Sequence, residues 1–519
     1  MSENKFLIRS TRLIGLATLA SRILGFVRDV IIAKFFGTGM RAQAFVVAFR
    51  IPNLFRSLFG EGGTNSAVVP VLSRLDQEGK KEEFWHVATC LLNLLLILLA
   101  ALTLLGELFM PYIVKAIAPG FIKDPQKLYL SIRLARLLFP YLLLAALSAY
   151  AMAVLNSLKN FVWSALAPCM LNISLIASAL ILCPRLKEPV DGLAIGVLAG
   201  GLLQIIIQIP ILAQKGLFKK RNFRFMHPKI KEIGTLFLPR TLGIAVYQIN
   251  IFVDTILGSL SWIVGQGAVA ALYYSNRLVQ FPLALFGLAL AQVAIPTMSG
   301  MVAQGDLDSL KKTVHFSLRS VFTIMIPATV GIMVLSRPIV SVLFQRGSFT
   351  SYSTEITSAV LFFYCLGLTG YAGVKVLASC FYAFKDTLTP VKIAGIALLI
   401  NIVLNLILMW PLKASGLALA TAIAASINFA ILAVILSKKI GHLVQLWSAL
   451  ARVTIAAAAM GSGLWIIFYR TGFLMQNNFL LAVKLGLTII AGIFIYSVFL
   501  KIFAKEESEI FLGWILKRK

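Results

Sequence analysis

Several charged side chains lie inside the two hydrophobic runs between Ser21 and Ser73. They are Arg22, Arg28, Asp29, Arg50, Arg56 and Glu61. A charge in the hydrocarbon core of a bilayer costs about 2.5–3.5 kcal/mol on insertion scales, so such residues normally face a protein interior or a water-filled cavity. Guanidinium groups that converge in one place bind an anion, most naturally a phosphate. The stretch therefore predicts a buried anion-binding site.

The alternative is that these side chains reach back to the nearer membrane interface while their stems stay in the apolar layer. We favour that interpretation for Lys34 and Arg41, which lie near the turn between the two runs. Arg22, Arg28 and Arg56 lie well inside the runs, and for them a buried functional role is the better prediction.

The elements that carry these residues are membrane helices. The chain has 519 residues, of which 59% are hydrophobic and only 13% charged, and its mean hydropathy is +0.90. Soluble globular proteins carry about twice that share of charged residues, so the sequence predicts an all-α polytopic membrane protein. Fourteen segments are long enough to span a bilayer: residues 10–36, 42–72, 84–112, 128–156, 161–183, 189–214, 230–258, 267–300, 315–344, 353–383, 388–411, 414–437, 446–469 and 478–503. The second contains Pro52 and a cluster of glycines, which predict a bend.

The basic residues set the predicted topology. The net charge is +28, and most lysines and arginines lie in loops on one side of the predicted spans, which is the cytoplasmic side by the positive-inside rule. Both termini are then cytoplasmic, as an even number of spans requires. The most basic loop, residues 215–231, is predicted to combine this topology bias on a connector between lobes with contact to anionic lipid, and we do not interpret it as a nucleic-acid arm.

An internal repeat divides the chain. Two copies of the tripeptide Leu-Phe-Gly are each followed by a proline, a serine and a glycine at matching steps. These are residues 58–60, 70, 73 and 79 in the first copy and 285–287, 296, 299 and 305 in the second. The repeat predicts two parallel six-helix lobes with a cleft along the membrane normal, followed by two extra helices. The predicted parts are residues 1–214, a basic linker 215–229, residues 230–440, and residues 441–519.

The second lobe offers fewer charged residues. Arg277 occupies the position that corresponds to the arginine-rich part of the second span. An intramembrane carboxylate with nearby amide and hydroxyl oxygens is able to hold a small hard cation, and the candidates are Asp254, Asn401, Asn405 and Thr421. The alternative is ordinary hydrogen bonding between helices, which contributes about 0.6 kcal/mol for each bond.

Enzyme chemistry has little support in the sequence. No phosphate-binding loop and no metal-ligand spacing of histidines, cysteines or carboxylates occurs, and the five cysteines are scattered among apolar runs. We therefore expect no catalytic residues and no cofactor, apart from Na⁺ as a coupling ion.

Four separated motifs resemble the MurJ/MviN family of lipid II flippases, within the multidrug/oligosaccharidyl-lipid/polysaccharide exporter superfamily. They are SRILGFVRD, FRIPNLFRSLFGEG followed by AVVPVLS, YYSNRLVQFPLALFGLALAQVAIP, and KVLASCFYAFKDTLTPVKIA. The resemblance covers essentially the whole chain. It implies a V-shaped transporter of fourteen helices in a bacterial cytoplasmic membrane, which moves undecaprenyl-pyrophosphate-linked MurNAc-pentapeptide-GlcNAc to the outer leaflet for peptidoglycan synthesis.

The resemblance also implies roles for residues. Arg22, Arg28, Arg56 and Arg277 would bind the pyrophosphate with support from Arg50, and Asp29 and Glu61 would be supporting acids. Two positions depart from the family pattern: Gln43 and Asn276 stand where many relatives carry an acid, so a gating salt bridge on the outer side is doubtful. Some relatives bind sodium with two carboxylates, and here Asn405 replaces one of them.

Other functions remain as alternatives. An exporter of another polyprenyl-linked polysaccharide or of drugs would share the fold, although a drug exporter is expected to have a more neutral or acidic cavity. A polyprenyl-phosphate membrane enzyme should show acidic metal-binding pairs, and none is visible in the sequence. Expected partners are lipid II and membrane lipids, together with proteins of cell-wall synthesis or division; we expect a monomer that binds no nucleic acid.

Overall fold

The protein, in a computed structural model, is described over residues 3–58, 64–217, 227–441, 445–470 and 478–516. These residues are overwhelmingly helical and contain no strand. The all-α prediction is therefore confirmed. Glu61, one of the predicted supporting acids, lies outside the described residues. By its contacts the chain forms two compact units, Met1–Leu260 (unit 1) and Ser261–Lys519 (unit 2).

Unit 1 contains ten described α helices. They are α1 (Glu3–Phe36), α2 (Met40–Leu58), α3 (Thr64–Gln77), α4 (Lys81–Ile117), α5 (Pro125–Leu138), α6 (Tyr141–Ser157), α7 (Phe161–Ile181), α8 (Pro189–Ile206), α9 (Ile209–Lys215) and α10 (Pro228–Gly258). Helix α1 packs on α7, and α7 packs on α8. Small residues allow this close approach, since a Cβ on Gly200 of α8 would lie 2.9 Å from Leu171 Cα of α7.

Unit 2 contains twelve described α helices. They are α11 (Ser261–Val264), α12 (Ala268–Pro282), α13 (Leu288–Gln304), α14 (Leu307–Val334), α15 (Ser336–Phe344), α16 (Ser351–Cys365), α17 (Leu368–Ala383), α18 (Leu388–Leu412), α19 (Ala414–Ile440), α20 (Gln445–Trp465), α21 (Asn478–Phe503) and α22 (Lys505–Leu516). Helix α19 packs on α16, α17 and α18, and α20 packs on α14 and α21. This unit has its own core.

Nine helical segments among the described residues are long and apolar enough to cross a membrane, and α16 with α17, bent by 43°, makes a tenth. The other predicted spans coincide with helices that are interrupted or carry charges. Helix α1 contains Arg22, Arg28 and Asp29, and the apolar helical stretch found in α10, Ala245–Gly258, is short and includes Asp254. The protein is thus a multi-pass membrane protein, while the count of fourteen spans stays a prediction.

The second copy of the Leu-Phe-Gly repeat coincides with a change in helix geometry, whereas residues 59 and 60 of the first copy lie outside the described residues. In the first copy, α2 ends at Leu58 and α3 begins at Thr64. In the second, the π-helical turn Leu283–Gly287 joins α12 to α13. A π turn leaves the regular pattern of backbone hydrogen bonds, and such turns occur often at functional sites.

Helix α10 belongs to unit 1 by its contacts with α2, α3 and α4. Its C-terminal end is held by the 3₁₀ turn Pro119–Lys123, where Gly120 N donates a 2.9 Å hydrogen bond to Ser259 Oγ. No side chain fits at Gly120, because a Cβ there would lie 1.9 Å from Ser259 O. The repeat counts this helix as the first span of the second half, and the predicted domain boundaries stay a prediction.

An ion cluster binds the C-terminal helix α22 to the rest of unit 2. Glu507 Oε1 accepts hydrogen bonds from Arg319 Nη2 of α14 at 2.6 Å and from Arg452 Nη2 of α20 at 3.2 Å. The Glu507 side chain is only 1% exposed, whereas that of its neighbour Glu506 is 74% exposed. Burial raises the pKa of Glu507, but a backbone hydrogen bond and the two arginines outweigh it, so the pKa lies below its usual range.

Candidate functional site

Arg28 is buried in a polar network within unit 1. Its Nε and Nη2 donate to Asp29 Oδ1 at 3.0 and 2.8 Å, and its Nη1 donates to Asn172 Oδ1 of α7 at 2.9 Å. Asn172 Nδ2 in turn donates to Ser21 O at 3.0 Å. Asp29 is 2% exposed, so both charges have left water and depend on each other. The network ties α1 to α7 at the level of the predicted site.

Arg22 is exposed on the same helix, and it makes no hydrogen bond or ion pair with any other described residue. The reason lies in helix geometry. Arg28 follows Arg22 by six positions, so the two side chains stand about 9 Å apart along the helix axis and about 120° apart around it. Arg28 faces α7 and Arg22 faces another direction. The two arginines of this motif therefore have different surroundings although both lie inside the apolar run.

Arg50 and Arg56 are half-buried on α2 and contact nearby oxygen atoms. Arg50 Nη1 donates to the carbonyl of Ile251 in α10 at 3.0 Å. Arg56 Nε donates to Asn53 Oδ1, one turn earlier in its own helix, at 2.9 Å. Carbonyl and amide oxygens hold a guanidinium group without cancelling its charge.

Arg277 is half-buried on α12 in unit 2, where it lies against an aromatic ring. Its guanidinium carbon is 5.0 Å from the centroid of the Tyr273 ring, and its Nη2 donates to the Tyr273 hydroxyl at 3.3 Å. A cation over an aromatic face gains about 0.5–1 kcal/mol at exposed sites, which positions the arginine without neutralising it. Unit 1 thus carries Arg22, Arg28, Arg50 and Arg56, and unit 2 carries Arg277.

The candidate sodium ligands form a hydrogen-bonded group in unit 2, with one exception. Asn405 Nδ2 donates to Asn401 Oδ1 at 2.8 Å, and Asn401 Nδ2 donates to Thr421 Oγ1 at 3.1 Å. Asp254, the carboxylate of the predicted set, is buried on α10 in unit 1. The Oδ1 of Asn401 is already engaged, so in this conformation the set resembles hydrogen bonding between helices more than a prepared shell of oxygen ligands. No cluster of three metal-binding side chains occurs among the described residues.

A buried lysine stands beside one of the two departures from the family pattern. Lys127, in the first turn of α5, is 4% exposed; its Nζ donates to Gln43 Oε1 at 2.9 Å and lies 4.0 Å from the Phe121 ring centroid. Gln43 Nε2 donates to Thr38 O at 3.1 Å. The lysine is therefore held by a neutral amide at the position where many relatives carry an acid.

Sequence reasoning missed two residues of unit 1. They are Lys127 and Asn172, which carry no role in the sequence analysis. The only sequence signal for Asn172 was an amide side chain in an apolar segment, which is costly to bury unless it finds a partner. Its partner Arg28 lies 144 positions earlier in the chain, a separation that no local pattern reveals.

Comparisons with known proteins give a consistent result. The family model described as "Lipid II flippase MurJ" matches residues 32–491. The probable lipid II flippase MurJ of Vibrio cholerae is 37% identical over 90% of this chain and 90% of its own length. That of Haemophilus influenzae is 36% identical over 86% of this chain and 90% of its own.

Solved structures agree with the sequence relatives. A lipid II flippase MurJ in an inward closed conformation superposes with a TM-score of 0.79 and 28% identity, over 95% of this chain and 99% of that one. An inward-facing MATE-family multidrug resistance transporter shares the fold alone, with a TM-score of 0.69 and 16% identity over 82% of this chain and 96% of that one. On these matches, the chain belongs to the lipid II flippase MurJ family.

Proposed function

We propose that this protein is a lipid II flippase, a transporter and not an enzyme. It moves the undecaprenyl-pyrophosphate-linked disaccharide-pentapeptide from the inner to the outer leaflet of the bacterial cytoplasmic membrane, for the synthesis of peptidoglycan. Family membership supports the substrate. The single observation that carries the site is Arg22: an exposed guanidinium inside a membrane helix, with no partner among the described residues, is suited to an anion that must leave water.

The residues of unit 1 have two roles in this proposal. Arg22 and Arg56 contact the pyrophosphate directly, because a guanidinium group offers paired donors to phosphate oxygens. Arg28 adds positive potential nearby, while Asp29 and Asn172 fix its orientation. Arg50 supports the group, and Arg277 contributes from the second half. The gain in affinity comes from replacing the water around the diphosphate with fixed donors.

The transport cycle follows alternating access. The headgroup binds from the cytoplasmic side, a conformational change exposes the arginines to the outer side, and the headgroup leaves while the polyprenyl tail stays in lipid. Both termini are cytoplasmic in this scheme, and the charge distribution of the loops supports that orientation. Fusions of a reporter that is active only in the cytoplasm, placed after Lys519 and in the loop near Lys187, test the topology.

The proposal also covers the coupling ion and the protein partners. A sodium ion bound near Asn401, Asn405, Thr421 or Asp254 would make transport depend on Na⁺, and it would have to displace the hydrogen bond between Asn405 and Asn401. Replacing Na⁺ by K⁺ at constant membrane potential tests this. The protein acts as a monomer in contact with proteins of cell-wall synthesis or division, which crosslinking in cells tests.

The decisive assay uses purified protein in liposomes with three fluorescent substrates. These are lipid II, an undecaprenyl-linked polysaccharide fragment of another structure, and a cationic drug. The proposal expects flipping of lipid II well above protein-free vesicles and little movement of the other two. Selective transport of the drug or of the unrelated polysaccharide would favour another exporter of the superfamily. No transport with lipid II in a folded preparation, with Na⁺ and a membrane potential present, would overturn the proposal.

A further inference from the structure

Lys375 of unit 2 is an intramembrane cation that differs in chemical type from the arginines of the proposed site. It lies on α17, which with α16 forms a bent apolar span from Ser351 to Ala383. Lys375 lies eight positions before the last residue of α17, a distance of about 12 Å along the helix axis. The lysine is therefore placed inside the span and not at its end.

The ammonium group of Lys375 has no partner among the residues that the structure describes. The side chain is exposed, and it makes no hydrogen bond or ion pair to a described residue; only its main-chain carbonyl accepts a bond, from Ser379 Oγ at 2.9 Å. A lysine in hydrocarbon without a partner costs several kcal/mol, so something outside the described side chains must solvate it.

Reaching back to the membrane surface does not explain this lysine. Side chains on an α helix lean toward the helix N-terminus. The N-terminal end of α17 is the bend near the middle of the span, so the Lys375 stem leans toward that bend and away from the end of the span at Ala383. The ammonium group is directed into the span.

The face of α17 that carries Lys375 is unlike a lipid-facing surface. Its neighbours at helical spacing are Tyr371, Ala378 and Tyr382. The neighbouring helix α18 shows what lipid contact looks like in this unit, with Leu399, Val403 and Ile407 exposed by 64%, 56% and 59%. Tyr382 is 45% exposed, so the exposed part of this face carries a tyrosine and a lysine, which is typical of a wet, polar surface.

The other faces of α17 are filled by protein. A Cβ on Gly370 would lie 3.0 Å from Ser426 N of α19, and one on Gly373 would lie 2.5 Å from the Phe429 ring. Ala372 lies against Gly287 of the π turn, since a Cβ on that glycine would be 3.2 Å from Ala372 Cβ. Lys375 thus occupies the one open face of a helix that is otherwise packed.

We propose that Lys375, flanked by Tyr371 and Tyr382, is a headgroup-binding cation of unit 2 that receives an oxyanion of the transported lipid. The inference rests on the proposed flippase function and extends it to a residue outside the arginine group. An ammonium is a flexible point charge with three donors, so it suits a single phosphate or carboxylate oxygen better than a fixed bidentate pair. The headgroup offers both sources, the diphosphate and the carboxylates of the peptide.

The first experiment tests whether water reaches the face of α17 that carries Lys375. The natural cysteines of the described residues are buried, so the reaction of a new cysteine at position 375 can be measured apart from theirs. In membranes, Lys375→Cys should react with a membrane-impermeant thiol reagent, and excess lipid II should slow that reaction. Leu399→Cys, on the lipid-facing side of α18, is the control that should not react. Equal protection of both positions from the reagent would overturn the proposal.

The second experiment asks what the charge does. In liposomes, Lys375→Met should raise the half-saturating lipid II concentration about tenfold, since one charge-assisted hydrogen bond is lost, while the maximal rate changes little. Lys375→Arg should restore most of the affinity, and Lys501→Met at the end of α21 is the matched control without effect. If Lys375→Met does not fold, alkylation of Lys375→Cys with bromoethylamine restores the ammonium and should restore affinity.

Two substrate analogues identify the anion. If the effect of Lys375→Met vanishes with lipid II whose peptide carboxylates are amidated, the lysine binds a carboxylate. If the effect persists with amidated and peptide-free substrates, it binds the diphosphate. Wild-type kinetics for Lys375→Met with every substrate, while Arg22→Ala fails to flip, would refute this inference and leave the proposed function standing. Absence of flipping by the wild type would instead refute the proposed function.

Discussion

The two units treat their intramembrane cations differently. In unit 1, Arg28 is buried against a carboxylate and an amide, and Lys127 is buried against Gln43 and an aromatic ring. In unit 2, Arg277 lies on the Tyr273 ring, and Lys375 has no partner among the described residues. A positive charge inside the membrane therefore has two roles in this protein: in unit 1 Arg28 and Lys127 stabilise the fold, whereas in unit 2 we propose that Lys375 binds a ligand.

The largest expected effect comes from removing Arg28. Arg28→Ala removes the arginine partner of the buried Asp29 carboxylate, and removal of one partner of such a pair costs about 3 kcal/mol of the free energy of unfolding. We expect a strongly lowered melting temperature in detergent and little protein in the membrane. The control is the double variant Arg28→Leu with Asp29→Asn, which removes both charges; it should recover folding but not transport. A stable, active Arg28→Ala protein would contradict the claim that Arg28 stabilises the fold of unit 1.

Arg22 should behave in the opposite way. Arg22→Ala removes an exposed charge that binds nothing in the described protein, so the melting temperature should stay within about 1 °C of wild type while transport falls at least tenfold. Complementation of a cell depleted of its own flippase, with membrane abundance measured in parallel, checks this. Arg22→Lys, which keeps the charge but loses the paired donors, should lie between the two. Rescue by Arg22→Ala at normal abundance would count against a role in substrate binding.

A smaller effect is expected at the ion cluster of unit 2, where Glu507 contacts Arg319 and Arg452. Glu507→Gln keeps an acceptor for Arg319 and Arg452 but loses its charge, so it should cost on the order of 1 kcal/mol of stability. Glu506→Gln is the matched control with almost no effect, because that side chain is 74% exposed. Thermal unfolding of both variants measures the difference. An equal loss of stability in the two variants would mean that the burial of Glu507 against its arginines does not determine the effect.

The smallest effect concerns a loop at the end of α17. Burial raises the pKa of Asp386, but hydrogen bonds from Lys439 and Thr389 and the charge of Lys439 outweigh it and lower the pKa from 3.8 to about 2. Because the folded-state pKa is depressed, this stabilisation is present above pH 4 and is lost as the pH falls toward 2. The melting temperature of wild type should therefore exceed that of Asp386→Asn at pH 6, and the gap should close between pH 4 and 2. A gap independent of pH would contradict this.

Composition and repeats were enough to predict much of this molecule. An all-α membrane protein with arginines inside apolar runs follows from hydropathy alone, and the motifs around Arg22, Arg56 and Arg277 identify the family. The sequence could not reveal that Arg28 and Arg22 face different directions into different surroundings, because the partner Asn172 comes from α7. It also could not place α10 with unit 1, since that depends on Ser259 meeting Gly120 across 139 positions.

The central claim is tested most directly by the initial rate of lipid II flipping in liposomes that contain equal amounts of folded wild-type or Arg22→Ala protein. The account predicts that the variant flips at least tenfold more slowly at subsaturating lipid II, with an unchanged melting temperature. A folded Arg22→Ala protein that flips lipid II at the wild-type rate would contradict it.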